Sequence, residues 1–82
     1  MTMKITINAW AGLKDYFDGS FPVEFQKESS IDDLRTWLKN KTPESSSLLN
    51  NCRFAINQEL VETHSAMCHG DVIDILPPSS GG

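Results

Sequence analysis

No apolar run in this 82-residue sequence approaches the ~20 residues that span a bilayer, and the opening Met1-Thr2-Met3-Lys4 is not followed by a secretory apolar segment. A cytoplasmic protein that touches no membrane is therefore expected. Basic charge is scarce too: seven Lys and Arg face eleven Asp and Glu, for a net charge of −4. Lys4, Lys14, Lys27, Arg35, Lys39, Lys41 and Arg53 are spread along the chain. The concentrated basic face that nucleic-acid binding uses to release counterions is missing, so no nucleic-acid partner is expected. An acidic protein instead suits a basic protein partner, through steering more than affinity. Only two cysteines occur, Cys52 and Cys68, and they form no CxxC. In a reducing cytosol they read as small apolar residues rather than a disulfide. His64 and His69 flank Cys68, but two His and one Cys around a turn fall short of a zinc ligand set, and no metal site is expected. Neither GxxxxGK[ST] nor GxGxxG is present, so the chain brings no nucleotide-binding loop of its own. A chain this short buries only about 60–65% of its unfolded surface. That leaves no room for a bound cofactor beside a catalytic cluster.

What is present is one small α+β domain. Met3, Ile5, Ile7 and Ala9 alternate with Lys4, Thr6 and Asn8, which predicts a half-buried strand. Leu13, Tyr16 and Phe17 share helical spacing and predict a short helical turn, closed by Asp18-Gly19. Phe21, Val23 and Phe25 alternate again, and Pro22, lacking an N–H, places that strand at a sheet edge. Ser30 with Asp33 reads as a helix N-cap, and Ile31, Leu34, Trp37 and Leu38 form an apolar stripe. One main helix is predicted over 31–41, stopped by Pro43, with residues 42–50 as a loop. Cys52, Phe54 and Ile56 predict a third strand, Asn57-Gln58-Glu59 a turn, and Leu60-Val61 a short fourth strand. In the last strand, Val72 to Leu76, Ile73 and Ile75 face one way and Val72, Asp74 and Leu76 the other. The expected architecture is a mixed four- to five-stranded sheet covered on one face by the main helix.

The sequence then ends Pro77-Pro78-Ser79-Ser80-Gly81-Gly82. Glycine loses more backbone freedom on ordering than any other residue, so a terminal pair adds nothing to a fold. Two prolines favour extended geometry and project the serines and glycines beyond them away from the body. The expectation is a domain over 1–76 and an extended tail over 77–82. A thin, unhindered tip of this kind suits a carboxylate that must enter another protein's active site. A carboxylate is a poor electrophile and needs activation, for example as an acyl-adenylate made with ATP by a separate enzyme.

Four stretches carry a resemblance. Met3-Lys4-Ile5-Thr6-Ile7 opens the chain; Ala11-Gly12-Leu13-Lys14-Asp15 matches an A-x-L-R-E segment; Ile56-Asn57-Gln58-Glu59 matches a V-N-Q turn. The stretch from Gly70-Asp71 through Pro77-Pro78 to Gly81-Gly82 matches a G-D-E-V-x-x-x-P-P-V-S-G-G ending. On these residues the chain resembles, end to end, the MoaD-like sulfur carriers, small subunits of molybdopterin synthase in the ubiquitin-like β-grasp group. The resemblance implies that a MoeB-like enzyme adenylates the Gly82 carboxylate with ATP, and that a sulfur donor converts it to a thiocarboxylate. A MoaE-like large subunit, paired with the carrier in a heterotetramer, then uses that sulfur on cyclic pyranopterin monophosphate. It also implies that no cofactor is bound by the carrier and that the catalytic residues lie on the large subunit. Gly81, Ser80, Ser79 and Pro78 would thread the tail into partners, while Leu76, Val72 and Trp10 would dock against them. Ser79 stands where the family usually has valine, which removes an apolar anchor from the tail. A carrier for another pathway (thiamine thiazole synthesis or tRNA thiolation) or a protein modifier is the alternative.

Overall fold

The structure, a computed structural model, describes residues 2–78. Strand β1 (Met3–Ala9) shows the burial its alternation requires, with Met3, Ile5, Ile7 and Ala9 buried and Lys4 and Thr6 exposed. A 3-10 turn (Ala11–Asp15) comes next and sinks Leu13 completely into the core. Strand β2 (Ser20–Phe25) returns antiparallel to β1, setting Val23 opposite Ile5 and Phe21 opposite Ile7. It lies at the sheet edge, where Pro22 withholds no ladder hydrogen bond from a neighbour.

Helix α1 (Ile31–Lys41) begins with a reciprocal cap. The Ser30 hydroxyl accepts from the Asp33 N–H at 3.2 Å, and the Asp33 carboxylate accepts from the Ser30 N–H at 2.9 Å. Its next N–H groups are satisfied by the loop before β5. Ile31 donates to the Ser65 carbonyl at 2.9 Å and Asp32 to that of Thr63 at 2.8 Å. Ile31, Leu34 and Leu38 are wholly buried, while Trp37, at the margin of the stripe, stacks edge-on against Phe25 and lies under the Lys41 ammonium.

Residues 42–50, expected as a loop, form a 3-10 turn (Pro43–Ser45) and a short helix α2 (Ser46–Asn50). Proline and three serines punctuate the sequence like a loop. Leu49 is nonetheless fully buried and Leu48 packs on the core, and five residues are too few to display a helical period. The segment plugs one end of the core beside α1. Cys52, expected to open the third strand, instead ends this segment, its thiol donating to the Leu48 carbonyl at 3.2 Å.

Strand β3 (Arg53–Ile56) and strand β4 (Glu59–Val61) form a hairpin whose two-residue loop, Asn57-Gln58, has positive φ at both positions (50° and 73°). That is the requirement of a type I′ turn. Strand β5 (Val72–Leu76) then enters between β1 and β3, parallel to the first and antiparallel to the second. The order is β2-β1-β5-β3-β4. One apolar cluster fills the space between the inner sheet face and α1, and the fold is a β-grasp with a mixed five-stranded sheet.

Candidate functional site

Strand β5 divides the molecule. Ile73 and Ile75 are fully buried toward α1, and Val72, Asp74 and Leu76 lie half-buried on the outer face of the sheet. Register places Thr6 beside Val72 and Asn8 beside Asp74 on one side, and Ala55 beside Asp74 and Arg53 beside Leu76 on the other. Leu60 on β4 is opposite Ala55. Trp10 comes directly after β1 and is 49% exposed. Its indole N–H donates to Asp74 Oδ1 at 3.3 Å, and the Asn8 amide donates to the same oxygen at 3.0 Å.

Of the residues singled out from the sequence, Trp10, Val72 and Leu76 all lie on this outer face, Val72 where β5 begins and Leu76 where the chain leaves it. Pro77 is half-buried and Pro78 exposed. Ser79, Ser80, Gly81 and Gly82 lie outside the described residues. Three neighbours that sequence reasoning did not place in the site join the face. Leu60 is the most exposed large apolar side chain among the described residues, at 58%. Its strand is three residues long, so no alternation marks its outward direction. Ala55 is only 4% exposed yet belongs to no part of the core cluster, and its register sets it on the outer face between Asp74 and Leu60. Asp74 was legible as outward-facing, but its bonds to Asn8 and Trp10 span more than sixty residues of sequence. An apolar patch of this kind, rimmed by polar groups, is the ordinary mark of a protein interaction surface, whereas scattered single apolar residues are not.

The cysteines are set apart from this face chemically. Burial pushes the Cys52 thiol up from its ordinary 9.0 to about 11, so it stays protonated at neutral pH and is a poor nucleophile. Cys68 is exposed, and both thiols are free. His69 accepts the Lys4 N–H on Nδ1 at 3.1 Å, and His64 stands 3.6 Å from Glu62. Among the described residues no three His, Cys, Asp or Glu side chains gather as a metal would require, and no helix is long and apolar enough to cross a membrane.

Three solved structures illustrate the likeness. Subunit 1 and subunit 2 of the molybdopterin-converting factor of Helicobacter pylori have been solved as a complex, and the match there is 27% identical with a TM-score of 0.71, covering 98% of this chain and 100% of that one. Small archaeal modifier protein 1 of Haloferax volcanii is 19% identical, TM-score 0.80, covering 96% and 99%. A ubiquitin from Caldiarchaeum subterraneum is 16% identical, TM-score 0.66, covering both chains completely. No curated protein matches the sequence. The sequence profile of the ThiS family matches residues 5–82, through β1, the central strand β5 and the glycine pair beyond it. The chain belongs to the ThiS family, ubiquitin-fold sulfur carriers of the MoaD/ThiS group.

Proposed function

We propose that this chain is the sulfur-carrying subunit of a molybdopterin synthase and that its working group is the Gly82 carboxylate. The observation that supports this reading is the placement of β5. The central strand of the sheet runs directly into Pro77-Pro78 next to the apolar outer face formed by Trp10, Val72, Leu76 and Leu60. A partner that covers that face is thereby in position to receive residues 79–82. The likeness to a subunit solved with its second subunit supports a large-subunit partner of the same kind.

The chemistry divides between chains. A separate MoeB-like enzyme directs the Gly82 carboxylate onto the α-phosphate of ATP, releasing pyrophosphate and leaving a glycyl adenylate. A sulfur nucleophile from a donor attacks the activated carbonyl carbon and AMP departs, giving a thiocarboxylate. Within the heterotetramer the large subunit holds cyclic pyranopterin monophosphate, and two carriers deliver the two sulfurs of the dithiolene. This chain contributes the electrophilic carbon, an unhindered approach through Gly81 and Gly82, and the docking face that sets the register of the tail. The Cys52 thiol takes no part, because burial holds it protonated.

The test is the intact mass after incubation with the adenylating enzyme, ATP and a sulfur source, followed by addition of the large subunit and cyclic pyranopterin monophosphate. Exchange of one oxygen for sulfur at Gly82, then molybdopterin formation, is expected. A carrier that gains sulfur but delivers it only to a thiazole precursor or a tRNA would move it to another pathway. Isopeptide bonds from Gly82 to lysines would make it a protein modifier.

A further inference from the structure

We propose that the outer sheet face holds a receptor for a single cationic side chain, with Asp74 as its anion, and that the partner docking there carries a lysine or arginine at the matching point. The inference rests on the outer face being the docking face, and adds the charge that the partner must bring.

A hollow of about 340 Å³ opens on the outer face between β1, β5 and the hairpin turn, lined by Asn8, Trp10, Asn57, Gln58, Val72 and Asp74. Asp74 is the only charged residue in that lining. Its Oδ1 accepts from the Asn8 amide at 3.0 Å and from the Trp10 indole N–H at 3.3 Å, two bonds that occupy that oxygen. Oδ2 is left as the acceptor. Asp74 forms no ion pair among the described residues: Lys4 is with Glu24, Arg35 with Asp32, and Arg53, on the same face, reaches no carboxylate. The turn wall is fixed, because Asn57 donates to Asp71 at 3.1 Å and accepts the Val72 N–H at 3.0 Å.

Covering this hollow with an apolar partner surface would strip water from a carboxylate and leave it unpaired, a cost that weakens or prevents docking. A cation removes that cost. An indole beside the carboxylate favours the same charge, since the ring face is negative. With Oδ1 already doubly engaged, the fit is end-on: one ammonium, or one arm of a guanidinium, on Oδ2. With the partner in place, the apolar members of the lining, Trp10 and Val72, help to exclude water from the pair, the arrangement in which an interfacial charge pair sets specificity.

Two measurements test the receptor separately from the docking face. In the isotopically labelled protein, methylguanidinium chloride is titrated against a sodium chloride control of equal ionic strength. The Trp10 indole N–H and Asn8 amide resonances are expected to shift saturably, and Asp74→Asn, which keeps the side-chain shape, is expected to abolish the shift. A response equal to the sodium control, or one that survives in Asp74→Asn, overturns the receptor. In the second measurement Asp74→Asn and Leu76→Asp are titrated with the molybdopterin synthase large subunit of the same organism. Asp74→Asn is expected to bind about tenfold more weakly and with a shallower salt dependence. Normal binding by Asp74→Asn with lost binding by Leu76→Asp overturns the cation while the docking face stands. Normal binding by both overturns the docking face itself. If the protein alone forms a dimer that Asp74→Asn dissolves, the cation comes from Arg53 of a second copy, and the proposal of a different partner falls.

Discussion

The two faces of the sheet are built from the same strands and obey opposite rules. On the inner face Ile5, Ile7, Ile73 and Ile75 are at most 2% exposed, and every position is filled by volume. On the outer face Lys4 pairs with Glu24 at 3.5 Å across exposed side chains, a contact that contributes little in water, and Asp74 is held by the Asn8 amide and the Trp10 indole with no counter-charge among the described residues. Residues two apart on β5 share a face, and neighbours answer to different constraints. Ile73 and Ile75 are set by the core they complete, whereas Val72, Asp74 and Leu76 are free of it and available to a partner. A small domain separates stability from recognition here by the pleat of one strand.

The sharpest way to break that separation is at the glycine pair. Extending the chain by one residue beyond Gly82 is expected to abolish sulfur transfer entirely while the thermal melt is unchanged. Residual transfer above background from the extended chain would remove the carboxylate from the mechanism. Next in size is the inner face. Ile75→Ala should cost about 2–5 kcal/mol, and Val72→Ala, across the pleat, about 1 kcal/mol or less. Urea titrations with equal slopes would measure both, and equal losses would mean the two faces are not distinct. Leu76→Asp should then weaken large-subunit binding by more than about 1.4 kcal/mol, tenfold, with a native circular dichroism spectrum. An unfolded Leu76→Asp variant would place Leu76 in the core instead.

The smallest effect is expected at the thiols. Cys52→Ala with Cys68→Ala should lose about 1 kcal/mol, nearly all from half-buried Cys52, and keep sulfur transfer. The Asp71 bond beside Cys68 survives, because it is the Cys68 backbone N–H that donates, at 2.7 Å. The Cys52 pKa gives a pH dependence of definite sign. The unfolded thiol ionises near 9.0 and the folded one near 11, so the unfolded state sheds its proton first and stability falls as pH rises from 9.0 toward 11. Urea midpoints for the parent and Cys52→Ala across that window should converge as pH rises.

Much of this was legible because a pleat has period two. The directions of β1, β2 and β5 followed from alternation alone, and the helix start followed from Ser30 and Asp33. Pro22 located an edge. The plug at 43–50 was not legible, because its serines satisfy local backbone groups in either a loop or a helix, and Ser45 does so with the Thr42 carbonyl at 2.7 Å. The composition of the outer face beyond Trp10, Val72 and Leu76 was hidden for a different reason. Leu60 and Ala55 reach it only through the pairing of β3 with β4 and β5, a long-range fact.

The parallel pairing of β1 with β5 has a mechanical side. Thr6 through Ala9 run beside Val72 through Ile75 in the same direction. A pull on the far end of β5 against the near end of β1 therefore slides the two strands past each other, loading all the bonds between them together. The same force on the β3–β4 hairpin would unzip its bonds one after another. A partner that grips the tail and tugs along β5 thus meets the molecule in its stiffest direction, and the body can be drawn against a partner's surface without being opened.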